Sequence, residues 1–241
     1  MNQAIRYLPA GDKAIVVEFG NEIKKEINHK VMALYHAINS RHIKGIEELI
    51  PTYRSLMVQY NPSQVVYKEL IDGLKELSEN LDEEKLSKQR IIEVPVIYGQ
   101  EFGPDIEFVA SHNNMSVDEV IQIHTSNDYL IFMLGFTPGF PYLGGMSDKL
   151  ATPRLETPRK KIPVGSVGIA GKQTGIYPIE SPGGWQLIGR TPINLYDPYR
   201  EPPILMQAGD FIRFVSVGLE DYRQIERLVA ETTYSLKISY K

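Results

Sequence analysis

Three loop segments gather the side chains best suited to holding a small ligand: Gly135-Phe136-Thr137-Pro138-Gly139-Phe140-Pro141-Tyr142, Gly171-Lys172-Gln173-Thr174-Gly175-Ile176-Tyr177-Pro178 and Ser181-Pro182-Gly183-Gly184-Trp185. Each combines backbone control with aromatic surface. Pro138-Gly139 and Pro182-Gly183 suit the central positions of a type II turn, because proline presets the first φ and glycine accepts the positive φ that follows. Glycine, Gly184 included, also lets a ligand approach backbone N–H groups, while Phe140, Tyr142, Tyr177 and Trp185 could wall a mostly apolar pocket for a small planar substrate. Gln173, Ser181 and Arg190 could offer amide, hydroxyl and guanidinium groups to a carboxylate or amide, with Arg190 as the expected anion partner. A blander reading stands beside this one. The loops would then be tight corners of a barrel, the aromatics core plugs and Arg190 a salt-bridged or rim charge.

His124 shares a helical face with Val117, Val120 and Ile121, so it points inward. It could reach the pocket as a catalytic acid or base, or pack in the core against a backbone carbonyl. Arg159-Lys160-Lys161 could attract an anionic substrate or an acidic partner surface, or form a solvated loop. No metal site is expected: His29 and His36 are seven apart, beyond the i, i+4 reach of ligand pairs, and no H-E-x-x-H occurs. Gly171 follows Gly165 by six positions, one too many for a phosphate loop, and Gln173 stands where Ser or Thr belongs. Val164 occupies the glycine position that a G-x-S-x-G elbow around Ser166 requires. Without a nucleophile, a phosphate loop or a metal site, these residues make a pocket whose chemistry needs a partner protein.

The elements that must position these loops fall into two groups. In residues 1–88, Ala14 to Phe19 reads as a strand, and Ile23, Ile27, Val31, Leu34 and Ile38 recur at helical spacing. Two β-like runs, Gly45 to Ile50 and Ser55 to Tyr60, precede Asn61-Pro62-Ser63, which announces a second helix bearing Val66, Leu70, Leu74, Leu77 and Leu81. Together they predict a small α+β sandwich. Polar residues from Glu79 to Gln89 predict a linker, with a second domain spanning 89–241. There, runs at Ile91 to Tyr98, Tyr129 to Leu134, Phe211 to Val217 and Tyr234 to Tyr240, separated by frequent Gly and Pro, predict a barrel or β-sandwich. Helices are expected after Ser116, whose Glu119 three residues on gives a capping-box spacing, and from about Glu220 to Glu231.

Composition narrows the partners. The chain has 241 residues, 42% of them hydrophobic, which is enough to fill real cores. Its net charge of -4 supplies no positive field for nucleic acid or anionic lipid. It contains no cysteine, which removes thiol chemistry and disulfides. Asp12 and Lys13 interrupt the N-terminus, and no apolar run nears the about 18 residues of a membrane span, so a cytoplasmic location is expected.

Through GFTPGFPYLGG, PRKKIPVGSVGIAGKQTGIYPIESPGGW and LIGRTP, the sequence resembles the family that contains the B-type component of bacterial 5-oxoprolinase and allophanate hydrolase subunit 1. The resemblance covers essentially the whole chain. It implies a cyclophilin-like β-barrel as the second domain and a heteromer with the C-type component of 5-oxoprolinase, which is the relative of allophanate hydrolase subunit 2, joined by the A-type component. The implied reaction is ATP-dependent opening of 5-oxo-L-proline to L-glutamate, with ATP used by the complex and not bound by this chain alone. Carried over by motif position, Phe140, Tyr142, Gln173, Tyr177, Ser181, Trp185 and Arg190 would line the site, with His124 nearby. Related sequences form part of the carboxyltransferase of biotin-dependent urea carboxylases. The resemblance also implies an alternative role, inhibition of a sporulation histidine kinase antagonised by the partner protein, and the two roles are compatible.

Overall fold

A computed structural model describes residues 4–81 and 89–241. The chain divides into two compact units, Met1–Lys88 and Gln89–Lys241, and most of the expected linker lies outside the described residues. The architecture is mixed α/β, with five α-helices among the described residues and a nearly closed, barrel-like sheet. No helix among them is long and apolar enough to cross a membrane.

In the first unit, β1 (Arg6–Pro9), β2 (Ala14–Glu18), β3 (Ile46–Pro51) and β4 (Ser55–Tyr60) form an antiparallel sheet in the order β1-β2-β4-β3. Alternation along the central strands sends Ile15 and Val17, and Leu56, Val58 and Tyr60, to one buried face. Helix α1 (Lys25–Arg41) meets it with Val31, Leu34 and Ile38, and α2 (Tyr67–Glu79) with Leu70, Leu74 and Leu77. His42 closes α1 in the left-handed conformation, at φ 47°.

The second unit is built on β5 (Arg90–Tyr98). Further strands are β6 (Asp128–Leu134), β7 (Pro141–Gly144), β8 (Arg159–Ile162), β9 (Ser166–Ala170), β10 (Gln173–Ile176), β11 (Ser181–Gly183), β12 (Gln186–Arg190), β13 (Phe211–Ser216) and β14 (Ile238–Tyr240). The main sheet runs β10-β9-β12-β5-β13-β6-β7, with β14 paired to β5 and a separate β8–β11 ribbon. β5 pairs in parallel with β13 and antiparallel with β12 and β14. Its inner residues Ile92, Val94 and Val96 join Tyr129, Ile131, Val167, Ile169, Ile188 and Phe214 in the barrel core. Ile97, on the other face of β5, packs with Phe102 and with Tyr222 of α5 (Leu219–Ala230). Burial on both faces explains why β5 reads as a nearly continuous apolar run. Two helices, α3 (Ile106–His112) and α4 (Val117–Thr125), add Ile106, Val109 and Val120 to the core, and the capping box at Ser116 and Glu119 opens α4.

The sequence reading does not anticipate β1, α3 or the short strands β7 to β12, and it misplaces several element ends. Asn61 does not open a helix: its Oδ1 accepts from the Ser63 N–H at 3.0 Å and its carbonyl from the Gln64 N–H at 2.9 Å, which makes a separate turn before Tyr67. Val66 consequently leaves the apolar stripe and is 59% exposed, and Ile23, ahead of α1, is 60% exposed. Only Ile238–Tyr240 of the C-terminal alternating run forms a strand, while Tyr234 and Leu236 pack against the barrel core without pairing. Leu74→Ala should cost about 2–5 kcal/mol of stability through cavity formation, whereas Val66→Ala should stay within about 0.5 kcal/mol. Urea unfolding of the two variants checks this contrast.

Candidate functional site

Phe140 is the hub of an aromatic cluster on the outer face of the barrel wall. Its ring meets Phe136, Tyr142, Tyr177 and Trp185 at centroid distances of 5.8, 5.3, 5.4 and 5.6 Å, each close to edge-on. Tyr177 and Trp185 touch at 6.1 Å. Such edge-to-face contacts fix ring orientation beyond what area burial alone achieves. Between the rings lies a cavity of about 220 Å³, lined by Phe136, Phe140, Tyr142, Arg154, Tyr177, Trp185, Pro182, Gly183 and Gly184. That is smaller than the ~300–1,000 Å³ of sites for drug-sized ligands, and suits a single small ring.

Local sequence explains how the cluster is seated. Gly168 of β9 and Gly175 of β10 are cross-strand partners. A Cβ at Gly168 would come within 3.2 Å of the Trp185 Cβ, and one at Gly175 within 3.1 Å of the indole Cζ3. The two glycines therefore leave a bare strip of sheet on which the indole lies. At Pro138-Gly139 the expected type II turn forms, with Gly139 at φ 78° and the Phe140 N–H donating to the Thr137 carbonyl at 3.1 Å. Phe136, on the same loop, takes a left-handed φ of 63° and is 68% exposed at the pocket mouth.

Hydrogen bonds clip the segment from Pro153 to Arg159 to the pocket wall. The Gln186 Nε2 donates to the Pro153 carbonyl at 2.9 Å, the Leu155 N–H to the Gly184 carbonyl at 2.7 Å, and the Arg159 Nη1 to the Trp185 carbonyl at 3.3 Å. Asp105 anchors this arrangement. One carboxylate oxygen accepts from Arg159 Nη2 at 2.7 Å and the other from the Leu187 N–H at 2.6 Å. Burial pushes the Tyr177 phenol up to about 12, against the opposing pull of nearby Arg154 and Arg159, so it stays a neutral hydrogen-bond donor.

The structure gathers Phe140, Tyr142, Tyr177, Trp185, Pro182, Gly183 and Gly184 at this cavity but not the expected polar residues. Arg190 lies at the far end of β12, over the Phe102 ring at 5.6 Å, because the strand carries it beyond Trp185. Gln173 opens β10 at the distal end of its hairpin, opposite Ala170. Ser181 is buried in β11 opposite Ile162, with its hydroxyl reaching the Ile179 carbonyl at 3.4 Å. Pro182-Gly183 is no type II turn: it lies in β11, held by pairing to β8, and Gly183 is needed because a side chain there would strike the Tyr177 hydroxyl. The basic run is likewise strand β8, with Arg159 paired to Asp105 and Lys161 to Glu180. Arg154, absent from the expected set, is the cation at the cavity. A visible signal was its place in Pro153-Arg154, repeated five residues on as Pro158-Arg159.

His124 points inward as its helical spacing predicts, but into the barrel core and away from the aromatic cavity. Its Nδ1 lies 2.8 Å from the Tyr98 hydroxyl and its Nε2 2.9 Å from the Thr174 hydroxyl, which itself donates to the Gly168 carbonyl at 3.0 Å. Thr174 thus spends its proton on Gly168, so Nε2 carries the imidazole hydrogen and Nδ1 accepts from Tyr98. Both ring nitrogens are occupied within the core, and burial drives the imidazole down to about 3. Among the described residues no cluster of His, Asp or Glu is arranged to hold a metal ion.

A family model described as "Carboxyltransferase domain, subdomain C and D" matches residues 5–206. The B-type component of 5-oxoprolinase from Bacillus subtilis (strain 168) is 48% identical over 223 residues, covering 88% of this chain and 92% of that protein. This chain belongs to the family of 5-oxoprolinase B-type components. The solved structure of TTHA0988 superposes with a TM-score of 0.78 at 36% identity, over 86% of this chain and 40% of that one. The K. lactis urea amidolyase shares the fold, with a TM-score of 0.77 at 22% identity over 98% of this chain and 16% of that one.

Two outcomes follow for this family member. Asp105→Ala leaves the Arg159 guanidinium and the Leu187 N–H without their shared partner, which should cost about 2–3 kcal/mol and shift Trp185 emission to longer wavelength. His124 stays neutral in the folded chain down to about pH 3 but protonates below about 6.5 when unfolded, so the unfolded state binds more protons in that window. Stability should therefore be full above pH 6.5 and fall as pH drops from 6.5 towards 3, and the His124 ring resonances should not titrate between pH 8 and 5.

Proposed function

We propose that this chain is the pocket-bearing component of a heteromeric, ATP-dependent 5-oxoprolinase, which opens 5-oxo-L-proline to L-glutamate. The observation that carries this reading is the aromatic cavity, sized for one small ring, in a chain 48% identical to the B-type component of a 5-oxoprolinase. A five-membered lactam is flat at its amide and apolar along its methylenes, which suits edge-on aromatic walls. Amide resonance makes it unreactive, so opening the C–N bond with water needs activation that these walls alone do not supply. The chain's part is to hold the ring, exclude bulk water and offer the neutral Tyr177 hydroxyl as a donor to the lactam carbonyl oxygen.

ATP does not fit this cavity. The cavity is too small and too aromatic for a nucleoside triphosphate, and Gly165 to Gln173 runs through strand β9 and its hairpin instead of looping into a helix N-terminus. We therefore assign ATP to the complex. Its partners in that assembly are the A-type component and the C-type component, the latter the relative of allophanate hydrolase subunit 2, and this chain is inactive alone. Nothing in the cavity favours the kinase-inhibitor reading.

Lactam-dependent ATP turnover should appear only when this chain is combined with both partners. Trp185→Ala should then lower kcat/KM for 5-oxo-L-proline at least about tenfold, since it removes one wall of the cavity. Full turnover by the variant complex would remove the cavity from the reaction.

A further inference from the structure

Arg90, Arg159 and Arg213 each pair with an aspartate, whereas Arg154 forms no ion pair among the described residues. Its exposed side chain lines a cavity whose other side chains are aromatic or proline. Its backbone is nevertheless held on both sides, by the Gln186 amide on the Pro153 carbonyl and by the Leu155 N–H on the Gly184 carbonyl. A cation is thus presented on a fixed backbone at an apolar cavity, with no carboxylate of the lining set to neutralise it. Guanidinium offers a planar fork of donors that matches a carboxylate, and low-polarity walls strengthen the attraction relative to water.

We propose that Arg154 is the carboxylate anchor of this pocket, the residue that selects a small ring bearing a carboxylate over the same ring without one. The proposal rests on the reading of the cavity as the substrate site. It assigns the aromatic walls to the ring and Arg154 to the charge, so the two contributions are separable.

Trp185 is the only tryptophan of the chain and forms one wall, so its fluorescence reports occupancy directly. The full chain is titrated with 5-oxo-L-proline and with 2-pyrrolidinone, the same lactam lacking the carboxylate. Wild type should prefer 5-oxo-L-proline by roughly 10- to 100-fold, the range expected of a charge-assisted hydrogen bond. Arg154→Gln should erase that preference while leaving 2-pyrrolidinone binding unchanged, and Arg154→Lys should restore part of it. A preference that survives in Arg154→Gln, or a parallel loss for both compounds, overturns the anchor and leaves the pocket reading intact. If neither compound perturbs Trp185 in wild type, the pocket reading fails and the anchor with it.

Discussion

The carboxylate of Asp105 is the joint on which the outer wall of the barrel depends. Its two oxygens reach different segments, the Leu187 N–H at the start of β12 and the guanidinium of Arg159 on β8. Its own N–H donates to the Leu187 carbonyl at 2.9 Å, so the residue ahead of α3 behaves towards β12 like one more strand neighbour. Arg159 carries the linkage on to the Trp185 carbonyl. Charge-assisted bonds in a partly buried place are stabilising only when both partners stay fully engaged, and here every arm of the network ends on a protein group. The seating of Trp185, and through it the cavity, follows from that one side chain.

The same stretch of sheet serves two environments. On the inner side Val167, Ile169 and Ile188 belong to the barrel core, while on the outer side Ala170, Leu187 and Trp185 form the aromatic cluster. Gly168 connects the two: its carbonyl ends the chain of hydrogen bonds from Tyr98 through His124 and Thr174, and its missing side chain makes room for the indole. A buried histidine with both nitrogens satisfied is thus part of what keeps the floor of the cavity in register, although it never faces the cavity.

How much was legible in the sequence depended on the kind of information each feature needs. Periodicity placed α1 and α2, a capping-box spacing placed α4, and β-like apolar runs placed β2 to β6 and β13, because those elements bury a face over several residues or carry a local end signal. Short strands β7 to β12 escaped it, since three to five residues, in most of them interrupted by Gly or Pro, carry no usable period. The aromatic walls were legible because Phe140, Tyr142, Tyr177 and Trp185 crowd three neighbouring loops. The polar residues were misplaced for a geometric reason: Arg190 is only five positions from Trp185, but an extended strand turns that spacing into most of its length. Arg154 lies in sequence between the first and second of these loops, outside both, and the segment that carries it is held at the cavity by hydrogen bonds from Pro153 and Leu155 to Gln186 and Gly184. Glycines were expected to admit a ligand to the backbone, yet Gly168 and Gly175 admit a side chain of the same protein.

The barrel-like sheet leaves one line without a ladder. β7 and β10 are the two ends of the main sheet and lie side by side, but among the described residues no ladder joins them. Phe140 immediately precedes β7 and Tyr177 immediately follows β10, so two walls of the cavity flank this seam. Beside the seam, Thr152, beyond β7, and Gly171, in the β9–β10 turn, exchange main-chain hydrogen bonds at 3.1 and 2.7 Å, so the two sides are tied at that point by backbone as well as by packing. The one line along which the sheet lacks a ladder thus runs beside the aromatic cavity, so the cavity rim and the closure of the barrel share the same residues.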